Sequence, residues 1–200
     1  MHRSLRFLSA LALVLFLAPS AFAQCLTGTS TAELMTEGPH AGLWKYCVQF
    51  SWDTPRGLSV VYLDFEFPCV NGVCDATWSF DDPAGWADGV TNDEGTPGEC
   101  TVDMLGYFTC DPIPGLGLVG PLVKWESVDT FDPPCEPGMM GTGNVCFYSD
   151  LPPAPDESPA FVVKNNLMQC EGMITGDFPS CPVPVDDIDW TDVKVLYRNY

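Results

Sequence analysis

Trp44-Lys45-Tyr46-Cys47-Val48-Gln49-Phe50-Ser51-Trp52 decides the fold class of this chain. Trp44, Tyr46, Val48, Phe50 and Trp52 alternate with Lys45, Cys47, Gln49 and Ser51. That period of two puts every large apolar side chain on one face of a strand. Asp53-Thr54-Pro55-Arg56-Gly57 breaks the pattern with turn-forming residues. Beyond it, Val61, Leu63, Phe65 and Phe67 alternate with Tyr62, Asp64 and Glu66. The two runs read as a β-hairpin with one oily face, which the rest of the chain must cover.

On the N-terminal side, residues 24–42 read as a lead-in, with Ser30-x-x-Glu33 as a weak capping box for one helical turn. On the C-terminal side, residues 76–80 form a third short strand and residues 81–98 a long loop. Residues 100–110 form a hairpin with its turn near Leu105-Gly106. A Gly/Pro connector over 112–120 leads to a strand over 122–127. A second long loop covers 131–143, a strand 145–148, and a proline-rich acidic connector 151–159. Residues 161–164 and 167–170 flank Asn165-Asn166, a pair that tolerates the positive φ of a two-residue hairpin turn. The chain holds 18 glycines and 19 prolines and no convincing amphipathic helix. Eight or nine short strands separated by such turns indicate an all-β fold, an antiparallel β-sandwich.

Residues 1–23 have the layout of a secretory signal peptide: a basic start with Arg3 and Arg6, an apolar run over 8–18 too short to span a bilayer, and Ala21-Phe22-Ala23 as cleavage site. The expected organisation is a signal peptide over 1–23, a disulfide-rich β domain over 24–185, and an acidic tail or closing strand over 186–200. The destination is secreted, extracellular or periplasmic, with no membrane insertion after cleavage. The net charge is −19, from 27 acidic and 8 basic residues, and cleavage makes it more negative still. Nucleic acid and anionic membrane both require basic surface, so neither is expected as a partner.

The 10 cysteines, Cys25, Cys47, Cys69, Cys74, Cys100, Cys110, Cys135, Cys146, Cys170 and Cys181, form an even set in an exported chain. They read as a disulfide framework rather than a zinc site, because no paired C-x-x-C unit or histidine cluster accompanies them. Pairing in sequence order is expected: Cys25 with Cys47, Cys69 with Cys74, Cys100 with Cys110, Cys135 with Cys146, and Cys170 with Cys181.

Chemistry is sparse. His40 is the sole histidine after residue 23, and no G-x-S-x-G elbow supplies a nucleophile. His40 therefore reads as a surface-loop residue. Asp64 and Glu66 point the same way on one strand and could serve a glycoside hydrolase, or simply form a solvated face. Calcium suits the charge: Asp88, Asn92, Asp93 and Glu94 are the candidate metal ligands, with Asp186, Asp187, Asp189 and Asp192 as a second group. Trp86 with Asp81, Asp82 and Asp88 is the candidate ligand-binding set. Its indole is either a stacking face for a sugar or a lid over one end of the fold. Gly138-Met139-Met140-Gly141 reads as a bulge or turn, and its methionines as loop-packing residues or soft-metal ligands.

The ending Trp190-Thr191-Asp192-Val193-Lys194-Val195-Leu196-Tyr197-Arg198 resembles the W-x-x-V-K-x-L-Y-R ending of secreted β-sandwich proteins from uncultured Gram-negative bacteria. The segments Cys135-Glu136-Pro137-Gly138, Gly141-Thr142-Gly143 and Cys146-Phe147-Tyr148-Ser149-Asp150 are similar to segments of the same group. The resemblance implies a bacterial, exported, β-rich protein and carries no catalytic residue. The expected function is a non-catalytic extracellular binding or structural module, with an extracellular glycan or protein as partner. A carbohydrate-binding module, with or without calcium, is the alternative, and an acid/base glycoside hydrolase the third.

Overall fold

The computed structural model describes residues 25–65, 74–91, 98–128, 130–131 and 134–180. Residues 1–23, expected as a signal peptide, lie outside them, as do Glu66, Phe67, Cys69, Asn92, Asp93, Glu94, Cys181 and the acidic tail over 186–200. The described residues form twelve strands: β1 (Leu26–Leu34), β2 (Trp44–Asp53), β3 (Val60–Asp64), β4 (Trp78–Ser79), β5 (Gly85–Thr91), β6 (Gly98–Thr109), β7 (Leu122–Ser127), β8 (Thr130–Phe131), β9 (Pro134–Pro137), β10 (Met140–Ser149), β11 (Pro153–Lys164) and β12 (Leu167–Pro179). The fold is all-β, as the alternation of residues 44–52 requires.

The architecture is a closed barrel, not a sandwich. The sheet runs β10-β2-β1-β12-β11-β3-β7-β6-β5, and β5 pairs back onto β10, closing a ring of nine strands. β4, β8 and β9 hang on this ring. The β1–β12 pairing is parallel and the other pairings are antiparallel. Sandwich and barrel both bury one face of every strand, so period-two alternation cannot separate them; closure depends on which edges meet. It occurs where Gly143, Asn144 and Val145 of β10 face Ala87, Trp86 and Gly85 of β5. Gly85 makes that approach practicable. Its φ is 158°, and a Cβ there would collide with the Asn144 carbonyl oxygen and lie 2.6 Å from Val145 Cα.

The opening stretch contributes two real strands, but they are not partners. β2 pairs with β1 and β10, and β3 pairs with β11 and β7. The turn at 53–57 is pinned instead to the link between β9 and β10, where Thr54 N–H donates to the Met139 carbonyl (2.7 Å), and it is closed internally by Thr54 Oγ1 donating to Gly57 O (3.1 Å). The expected buried faces do hold. Tyr46, Val48, Phe50, Trp52, Val61, Leu63 and Phe65 all point inward and are at most 3% exposed.

The barrel interior is filled by side chains, as expected when about eight strands close on themselves. Phe147 is its aromatic hub, stacked on Tyr46 at 5.0 Å and on Trp78 at 5.5 Å, with Trp125 at 6.1 Å. Burial of each such side chain stabilises the fold by about 1.5–3 kcal/mol. Tyr46 keeps its polar tip satisfied by donating to the Leu151 carbonyl at 2.7 Å. A second, smaller cluster lies outside the barrel. There the connector with its single 3-10 turn (Pro114–Leu116) brings Ile113, Leu116 and Leu118 onto Tyr62 and Val163.

Several expected loops are strands. The lead-in contains β1, paired along its whole length with β2, so Ser30 and Glu33 lie in a strand and cap no helical turn. Residues 81–98 contain β5. Residues 100–109 form one continuous strand within β6, whose Gly106 makes room for the Phe80 ring rather than turning. The acidic connector over 151–159 begins β11. Asn165 and Asn166 do form the two-residue turn, with φ of 53° and 60°.

Disulfide pairing follows sheet register, not sequence order. Cys47 and Cys146 face each other across β2 and β10, with Cα atoms 4.2 Å apart. Cys25 joins Cys170 because β1 runs parallel to β12. Cys74 joins Cys110 and Cys100 joins Cys135. Every described cysteine is paired, and none of the five expected sequential pairs forms.

Candidate functional site

The outer face of β1, β2, β10 and β5 forms an open groove of about 460 Å³. Its floor follows from register. Directly opposed residues in neighbouring strands point to the same side, so two rows of side chains cross the strands. The first row is Thr29, Gln49, Asn144 and Trp86. The second is Thr27, Ser51 and Thr142. Trp86 stands at the β5 end and is 40% exposed as a residue.

The rows differ in how their polar atoms are used. In the second, Thr27 Oγ1 and Ser51 Oγ lie 3.1 Å apart, and Thr142 donates both its N–H and its hydroxyl to Asp88 Oδ2, each at 2.8 Å. In the first, none of the four side chains hydrogen-bonds to another described residue. Asn144 Oδ1 is buried without a partner. No residue lining the groove is ionisable, in a chain that is 18% charged.

The expected site residues are dispersed. Trp86 lies on a strand, not in a loop, and its side chain is a wall of the groove. Asp88 is on the same strand but is occupied by Thr142. Asp81 is held at the far end of β10, where its Oδ2 accepts from the Tyr148 hydroxyl at 2.7 Å. Tyr148 and Thr142 are six residues apart on one strand, so Asp81 and Asp88 are separated by roughly 20 Å. Asp82 is exposed beside Asp81. Among the described residues no group of three or more His, Cys, Asp or Glu side chains stands together. Met139, between β9 and β10, and Met140, the first residue of β10, are both exposed.

His40 is not a free surface-loop residue. Its ring stacks on Tyr148 at 3.8 Å and its Nε2 lies 3.3 Å from Asp81 Oδ1. Burial, then the hydrogen bond and charge of Asp81, push the Tyr148 phenol up to about 12. The cluster joins the β1–β2 loop to the segment before β5. No local sequence signal announces it, because its members are far apart in the chain. The groove floor had a partial signal, since Gln49 and Ser51 are the polar phase of the alternation in residues 44–52.

Comparison with known proteins gives no match to any family model, curated protein or solved structure.

Proposed function

We propose that this protein is a non-catalytic binding module, exported to an oxidising compartment, whose groove on β1, β2, β10 and β5 binds a glycan. The observation that carries the reading is Trp86 standing over a floor of hydroxyl and amide side chains. A sugar ring has an apolar face that suits an indole and a rim of hydroxyls that suits Asn144, Gln49 and Thr29. The lining holds no carboxylate, whereas a glycoside hydrolase needs two flanking the scissile bond; this favours binding over hydrolysis. Four disulfides support an oxidising destination. The interior is apolar and this stretch of the exterior polar, the reverse of a lipid-embedded barrel.

The test is retention on insoluble neutral polysaccharides, compared between the natural chain and Trp86→Ala. Loss of one aromatic stacking face should weaken binding by about tenfold, near 1.4 kcal/mol, while circular dichroism stays unchanged. Equal retention of the two proteins, or retention of neither, contradicts the reading.

A further inference from the structure

We infer that the groove takes an uncharged, extended β-linked polysaccharide, laid across the strands and held along its length rather than by an end. This rests on the glycan reading of the same groove. The first row offers one polar or aromatic group per strand: Thr29, Gln49, Asn144, then Trp86. Neighbouring strands are about 4.8 Å apart, so the row spans roughly 14 Å. An extended glycan chain advances by a similar step per sugar, so each unit meets one strand, and the row accommodates about three to four units.

Four further observations fix the class of ligand. The lining carries no charge although the chain carries −19, so neither an acidic polysaccharide nor a basic protein finds its complement there. The backbone of β2 is hydrogen-bonded on both sides, to β1 and to β10, so a peptide has no strand edge to extend within the groove. Recognition therefore passes through side chains. The second row is already satisfied, by the Thr27–Ser51 contact and by Asp88 holding Thr142. The first row is the one whose side chains make no hydrogen bond to another described residue, which leaves the exposed polar groups of Thr29, Gln49 and Asn144 open to a ligand. The groove is open rather than a blind pocket, which permits a chain to continue past both ends.

The experiment is titration of the full chain, followed by tryptophan fluorescence and calorimetry. The probes are gluco-, manno- and xylo-oligosaccharides with β-1,4 linkage, from monomer to hexamer, with oligogalacturonates as the anionic control. The inference predicts that at least one neutral series gains about tenfold or more in affinity from monomer to tetramer and less than about twofold beyond it. Reducing the terminal sugar of the hexamer to its alditol should change nothing. Asn144→Leu, which keeps a side chain of similar size, should weaken the tetramer far more than the monomer. Monomer binding as tight as tetramer, loss on end reduction, or preference for the anionic series overturns the inference. If Trp86-dependent retention on polysaccharide persists in that case, the glycan reading survives alone. If no probe binds and retention is also absent, both fall.

Discussion

The Cys47–Cys146 disulfide gives the sharpest quantitative prediction, because register and covalent linkage meet at one point. It joins adjacent strands across a sequence separation of 99 residues. In the chain-entropy account, a loop of that length stabilises by about 4.7 kcal/mol. The Cys74–Cys110 and Cys100–Cys135 links lie inside it and shorten the covalent path to roughly half. A halving lowers the loop term by only about 0.6 kcal/mol, which leaves about 4 kcal/mol. Because β2 and β10 pair over ten residues each, the sheet itself should persist without the link. The double variant Cys47→Ala, Cys146→Ala should therefore fold with an unchanged circular dichroism spectrum. Its unfolding midpoint in guanidinium should fall, and its melting temperature should drop by roughly 8–16 °C. A loss under about 1 kcal/mol, or peptide mapping that joins Cys47 to Cys25, would refute the register on which the barrel rests.

Two further perturbations probe separate parts of the structure. Gly85→Ala should cost at least about 2 kcal/mol, because the new Cβ meets β10 backbone at the closure point; Gly115→Ala, where nothing lies within 4 Å, should stay within about 0.5 kcal/mol in the same denaturation assay. Alkali should destabilise the fold. Tyr148, raised to about 12, and Tyr46 and Tyr62, raised chiefly by burial, hold their protons in the folded state after the unfolded chain has lost them. Stability is then unaffected below the ordinary tyrosine value of about 10 and falls as the pH climbs beyond it, on the order of 2 kcal/mol for Tyr148 alone. A Tyr148→Phe variant should show a shallower fall, and a flat profile for the natural chain would contradict the raised values.

What the sequence disclosed, it disclosed through alternation. Residues 44–52 and 61–65 each have a clean period of two whose expected face turns inward, and residues 122–127 form the expected strand. Strands escaped notice where that signal is weak. Thr27-Gly28-Thr29-Ser30-Thr31 in β1 offers no large apolar residue to mark a buried face. Gly85, Ala87 and Gly89 in β5 are the small inward residues on which closure depends, so the strand resembles a loop. Pro153, Pro155 and Pro159 disguise β11 in the same way. Pairing was less legible still. The turn at 53–57 suggests a hairpin, but nothing local shows that β1, β12 and β11 intervene between its two strands. The disulfide map fails with it, because cysteines join across register partners and register is a property of the whole sheet. Trp86 was identifiable as an exposed aromatic. Its polar companions were not, since Thr29, Gln49 and Asn144 become neighbours only when three distant segments align.

The most direct test of the account is to watch the groove itself. Backbone and indole N–H resonances of the isotopically labelled protein should be followed while a neutral β-linked tetrasaccharide from the strongest-binding series is added. The account predicts shifts concentrated at Thr29, Gln49, Asn144 and the Trp86 indole, with the His40–Asp81–Tyr148 cluster at the other end of β10 unmoved. Shifts centred on that cluster, or on the connector over residues 112–120, with the four groove residues silent, would contradict it.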